Sequence, residues 1–221
     1  MGKESLQELR ERLGTETEAA YRASPFSALS RDYFLRFSRN PEACPTSSEV
    51  MLGTEWRILL SEEASDLAVL MAGHLVEFLY ERMGLSIPLE RTRPGSEEVV
   101  ERSVLMLEAG GGDAEVPESY SLSVSGRQVV AQGSDTNGLR DGIVRLVDLM
   151  GFREAPILPL GDTVHTPRLR VRLGSVPFMG SYRDVVFLGY NAVFAGGGDL
   201  YALSRSDSIP ALLDRRGETP G

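Results

Sequence analysis

The sequence predicts an α+β fold: a mixed sheet with two helices on one face, followed by a strand–helix–strand unit. Three observations predict it. Two long segments carry apolar residues at three- and four-residue steps, the period of an amphipathic helix. Between them, two short runs alternate apolar and polar residues about a Ser125-Gly126 turn, the pattern of a hairpin with one buried face. Beyond Pro167 the pattern becomes strand, helix and strand with a glycine-rich exit, the opening of a parallel architecture.

Residues 1–50 read as an N-terminal arm. Leu6, Leu9 and Leu13 sit at helical spacing in a charged stretch and predict a short surface helix. Pro25, Pro41 and Pro45 interrupt the rest of the arm, leaving room for one more short helix around Tyr33. Residues 51–160 carry the sheet domain. Trp56, Ile58 and Leu60 form a first strand, and Ser61 and Ser65 offer N-cap oxygens with Glu62, Glu63 and Asp66 beside them. Leu67, Leu70, Met71, Leu75, Phe78 and Leu79 then trace a helix to Met83, with Gly84 at the left-handed C-terminal position.

A second strand spans Ser103 to Leu107, and the glycine-rich stretch Ala109 to Glu115 predicts a flexible loop. Tyr120, Leu122 and Val124 make one arm of the hairpin, and Val129 and Ala131 the other. Ser134, Asp135, Thr136 and Asn137 supply caps for a second helix carrying Leu139, Ile143, Leu146, Val147 and Met150, closed by Gly151. Pro156, Pro159 and Pro167 mark a linker. Residues 161–221 then hold a strand over Leu169–Leu173, a short helix over Ser181–Leu188, and a strand over Asn191–Ala195 that exits through Gly196-Gly197-Gly198-Asp199.

Composition bounds the chemistry. The 221 residues are 42% hydrophobic and 25% charged, enough apolar side chain for a core. No apolar run reaches the about 18 residues of a membrane span. The net charge of −9, with no basic cluster, argues against nucleic acid as a partner, since phosphate binding needs gathered Lys and Arg. A lone Cys44 excludes an internal disulfide and a cysteine-rich zinc site. The first residues lack the apolar core of a secretory signal, so the sequence as written predicts a cytoplasmic location.

The usual catalytic patterns fail one by one. Neither Gly110-Gly111-Gly112 nor Gly196-Gly197-Gly198 precedes the Lys-Ser/Thr of a phosphate loop or has dinucleotide spacing. His74, in HLVEF, lacks a second histidine four residues on and reads as a helix-face residue; no metal or cofactor is expected. There is no GxSxG elbow, and Cys44 has no neighbouring base to make it a nucleophile. Carboxylates remain, because glycoside hydrolysis uses acidic pairs. Asp199, directly after a strand, is the best single one, and a plain loop carboxylate is the competing reading.

Three stretches, in order, resemble the small non-catalytic domain that precedes the barrel in family 20 glycoside hydrolases, the β-N-acetylhexosaminidases, and its relatives before α-glucuronidase-type barrels. They are HLVEFLYERMGLSIP, ESYSLSVSGRQVVAQGSDTNGLRDGIVRLVDLMG and GDTVHTPRLRVRLG, the last similar to the run into the first barrel strand. The resemblance covers Trp56 to Leu173 and implies a sheet with two helices on one face, then the first βαβ of a truncated (β/α)8 barrel. In that family an Asp-Glu pair in the barrel works with the substrate's acetamido group, and carbohydrate is the implied partner of the full-length parent. A barrel takes about 250 residues, so no catalytic residue maps onto this chain. LGSVPFMGSY and GYNAVFAGGGD replace the family's sugar-binding segments; Asn191 alone keeps its place, which implies a divergent substrate. Asn191 and Asp199 are thus the residues to test for substrate contact.

Two functions of different class fit these features. The first is the N-terminal, catalytically silent part of a carbohydrate-active hydrolase. The second is a stand-alone binding or scaffold module. Unpaired barrel strands in the first case predict self-association, with Val185, Val186, Phe187 and Phe194 needing cover.

Overall fold

The computed structural model describes residues 32–93, 102–108, 111–113, 116–174 and 182–193. They fall into two units, Asp32–Arg170 and the described residues from Val171 onward. The expected helix about Leu6, Leu9 and Leu13, together with Phe194 and Asp199, lies outside the described residues.

The first unit is built on strands β1 (Glu49–Met51), β2 (Arg57–Ser61), β3 (Leu89–Thr92), β4 (Ser103–Leu107), β5 (Tyr120–Val124), β6 (Gln128–Gly133), β7 (Ile157–Pro159) and β8 (Gly161–His165). Its long helices are α1 (Asp66–Glu81) and α2 (Thr136–Arg153). Six strands form one mixed sheet in the order β3-β2-β4-β6-β5-β8. The pairs β2–β3, β2–β4 and β4–β6 are parallel, whereas β5 pairs antiparallel with β6 and β8. Short β1 pairs antiparallel with β7 beside this sheet.

Register explains which side is the core. Ile58, Val104, Val129 and Val124 stand in one row across four strands, and Leu60, Met106, Ala131 and Leu122 in the next. All eight are buried, and α1 and α2 pack on the sheet and against each other. Alternation in the strands and the 3.6-residue stripe in the helices thus bury one common layer. The α+β fold with two helices on one face is what the structure shows.

Caps set the helix boundaries. Ser65 caps α1, its side chain accepting from the Ala68 amide at 3.2 Å, and Gly84 turns the chain beyond the C-terminus at φ +60°. Asp135 caps α2, accepting from the Gly138 amide at 2.7 Å. The expected stop at Gly151 does not occur: α2 runs to Arg153, and Glu154 takes the left-handed position at φ 57°. Gly151 serves packing instead, for a Cβ there would lie 2.4 Å from the Phe37 ring. Phe37 follows a 3-10 helix, Tyr33–Arg36, the short helix expected around Tyr33, whose Phe34 packs edge-on against Phe78.

One segment differs from the sequence reading. Gly161–His165, expected at the start of the barrel portion, is the edge strand of the sheet. In the stretch after β4, Gly111 donates its amide to the Gly133 carbonyl at 3.0 Å. A Cβ on Gly111 would meet that same chain at 2.2 Å, at the Gln132 oxygen, so close backbone approach is why glycine stands there.

The second unit contains β9 (Leu173–Gly174), α3 (Tyr182–Phe187) and β10 (Ala192–Val193), with β9 and β10 parallel. The expected strand over Leu169–Leu173 is shorter than its alternation suggests. Its β10 partner begins opposite Leu173, and Leu169, Val171 and Leu173 are exposed. Val185 and Phe187 of α3 are buried.

Candidate functional site

In open α/β sheets, ligands gather at the carboxyl ends of parallel strands, where helix N-termini point. Here those ends are β2 at Ser61, β4 at Leu107 and β6 at Gly133, followed by α1 and α2. The place is taken by the chain itself. Glu108, the residue after β4, accepts from the Ser65 amide at 2.8 Å and from the hydroxyls of Ser65 and Thr136, the latter at 2.8 Å. One carboxylate therefore engages the N-cap of α1 and the first residue of α2 together. Burial raises its pKa, but the hydrogen bonds from Ser65 and Thr136 and the charge of Arg91 outweigh that and leave it below the ordinary carboxylate range. Glu108 was not among the residues selected from sequence, although it is an acid directly after a strand and so carries the very signal that singled out Asp199.

Close backbone contacts join other described residues at this end. Ser134 donates its amide to the Ser119 carbonyl at 2.8 Å, and Gly138 at the start of α2 leaves only 2.1 Å between a hypothetical Cβ and that same oxygen. The Ser119 hydroxyl both accepts from the Asp113 amide, at 2.8 Å, and donates to the Asp113 carbonyl, at 2.7 Å. Beside it, buried Arg140 donates to Asp141 at 2.8 Å and to Asn137 at 3.1 Å, and its Nη2 faces Glu118 at 3.6 Å. Glu118 has φ 64°, a left-handed conformation for a residue with a Cβ.

Of the residues named from the sequence, Asn191 belongs to the second unit. Asn191 immediately precedes β10, and its Oδ1 accepts from the Arg172 amide at 2.8 Å while its own amide donates to the Arg172 carbonyl at 3.0 Å. The Arg172 guanidinium donates in turn to the Gly189 carbonyl at 2.6 Å. Asn191 therefore locks β10 onto the residue ahead of β9. Asp199 lies outside the described residues. His74 lies on α1 with its Nδ1 at 3.2 Å from Glu77, and Cys44 is exposed. Among the described residues no three potential ligands gather into a group able to hold a metal ion.

No family model matches the sequence, and no curated protein matches it. Solved structures do. A GH20 β-N-acetylhexosaminidase from Streptomyces coelicolor is 17% identical over 65% of this chain and 29% of its own, with a TM-score of 0.46. A β-N-acetylhexosaminidase from Bacteroides fragilis is 18% identical over 59% of this chain and 24% of its own, at 0.39. A GH138 enzyme targeting pectin rhamnogalacturonan II is 16% identical over 54% of this chain and 16% of its own, at 0.42. The chain thus spans less than a third of the length of each.

Proposed function

We propose that this chain is the N-terminal, non-catalytic portion of a glycoside hydrolase that acts on a carbohydrate. In this reading the accessory sheet domain runs from residue 51 through β8, which carries it past the expected boundary at residue 160, and the residues that follow begin a (β/α)8 barrel. The observation that carries the proposal is the parallel pair β9–β10 joined through α3, which follows the two-helix sheet in the chain. A parallel strand–helix–strand unit is the repeat from which such a barrel is made. The resemblance of GDTVHTPRLRVRLG to the run into a first barrel strand supports the same assignment.

The sheet domain then acts as a scaffold. Its strand ends are closed by Glu108 and by glycine-to-backbone contacts, and this closure also favours the second reading, a scaffold module without chemistry. Barrel enzymes place their chemistry at the carboxyl ends of the strands, where Asp199 follows the second strand. Asn191 lies ahead of that strand and serves the substrate site by holding the strand that leads to Asp199. Turnover of aryl glycosides, compared between this chain and a polypeptide carrying the whole barrel, separates the readings. The hydrolase reading expects activity in the longer polypeptide alone and its loss or marked weakening in Asp199→Asn. A longer polypeptide that binds glycans without cleaving them would support the module.

A further inference from the structure

Among the described residues, the outer edge of β8 is the one long strand edge of the sheet unit left open at full exposure. All five residues Gly161–His165 are exposed. Hydrogen-bond parity says which main-chain groups face outward. The hairpin closes with the Ser125 amide donating to the Gln128 carbonyl at 2.8 Å, so Ser121, Ser123 and Ser125 turn their main chain toward β6. Tyr120, Leu122 and Val124 therefore turn theirs toward β8 and pair with His165, Thr163 and Gly161. Asp162 and Val164 are left pointing away from the sheet. Leu160, of the same parity, confirms the direction by donating outward to the Ser48 carbonyl at 2.8 Å.

We propose that β8 is a homodimer interface, pairing antiparallel with β8 of a second copy to continue the sheet across both. Self-complementarity chooses this occupant and its register. A twofold axis at Val164 sets Val164 opposite Val164 of the second copy and Asp162 opposite its Thr166, on the face away from the helices. Thr163 faces His165 of the second copy on the helix side, next to the stack of His165 on Tyr120, whose rings are 5.0 Å apart. Every outward group of Asp162 and Val164 then finds a partner, in about six hydrogen bonds across the axis. The alternative axis at Thr163 would set Asp162 against Val164 on that face, a charge against an isopropyl group. Val164 is 64% exposed in the single chain, and the pairing covers it. Within β8 the edge has no Lys and no Pro, and its one carboxylate, Asp162, meets Thr166 rather than a like charge in this register. This interface stands on β8 alone and is independent of the barrel assignment.

A one-strand contact is small, well under about 1,000 Å², so the dimer forms at high concentration and dissociates on dilution. Sedimentation and light scattering of the full chain up to about 1 mM are expected to show the mass rising toward that of two copies. Val164→Pro removes an outward N–H while sparing the β5 ladder, and is expected to give a monomer throughout with unchanged far-ultraviolet circular dichroism. If that variant loses its fold, Val164→Lys keeps the donor, sets like charges face to face, and should also be monomeric. In a Cys44→Ser background, Val164→Cys should bridge to itself with oxidised glutathione, because hydrogen-bonded pairs hold their Cα atoms about 5.5 Å apart. A wild-type chain monomeric at about 1 mM overturns the proposal. So does a dimer that survives both folded substitutions at Val164, or one in which Val164→Cys fails to bridge.

Discussion

Glu108 and Asp148 are both carboxylates held partly out of water on the same unit, and their surroundings push them in opposite directions. Glu108 is held low because three hydrogen bonds and Arg91 outweigh its burial. A group whose folded pKa is depressed contributes stability above its unfolded value and loses it as pH falls through the folded one. Glu108→Ala is therefore expected to destabilise the chain by about 2 kcal/mol near neutral pH, the cost of stripping a partner from two helix starts. Glu108→Gln should cost less, and the deficit of either should shrink as pH falls below the ordinary carboxylate value of about 4.3 and through the depressed folded one, where the wild-type carboxylate takes up its proton. Denaturant titrations at several pH values check this; a deficit that persists unchanged at low pH contradicts it. Asp148 is the reverse case. Burial raises its pKa, against the Tyr33 hydrogen bond of 2.5 Å and the Arg145 charge, which lower it. Its ionised form weighs on the fold at neutral pH, and the wild type gains stability as pH falls through the raised pKa. Asp148→Asn keeps an oxygen for the Tyr33 hydroxyl and should be at least as stable at pH 7, with its advantage vanishing in acid. A variant weaker than wild type at pH 7 would refute the assignment.

At the scale of elements, the docking of α2 turns on the glycine-to-backbone contacts at its start. Gly138→Ala would place a Cβ 2.1 Å from the Ser119 carbonyl oxygen, which lies in main chain and has little room to retreat. It should cost about 3 kcal/mol, whereas Gly126→Ala, at a turn with open space, should leave thermal stability nearly unchanged. Equal effects of the two would show that the close approach has no energetic weight. Both long helices were legible because a 3.6-residue stripe and a capping oxygen are local signals. The hairpin was legible for the same reason, in its period of two and its turn. Strands β1, β3 and β7 were not, since LERT and ILP have no period of their own and become strands through partners distant in sequence. β8 was missed as part of the sheet for a similar reason: its five exposed residues offer no buried face to alternate. Leu70 shows the limit of the stripe rule in α1, for it fits the spacing and is 55% exposed. The end of α2 was misplaced because Gly151 looks like a cap in sequence, while its lack of a side chain answers to Phe37, over a hundred positions away along the chain.

At the scale of the whole molecule, two units make different contributions. The sheet unit has a filled core, and its own Glu108 carboxylate engages the starts of both long helices at the strand ends. The second unit supplies one parallel strand pair with its helix. For the proposed site the sequence offers one position on each side of β10: Asn191, whose Oδ1 is engaged by the Arg172 amide, and Asp199 further along the chain. Glu108 was not legible as a helix clamp because its partners, Ser65 and Thr136, are 43 and 28 positions away in the sequence. The most direct test of the account is steady-state hydrolysis of a panel of aryl glycosides, N-acetylhexosaminides included, by the 221-residue chain. The account predicts release no faster than in buffer. Saturable turnover on the order of 1 s⁻¹ by this chain, retained on repurification, would contradict it.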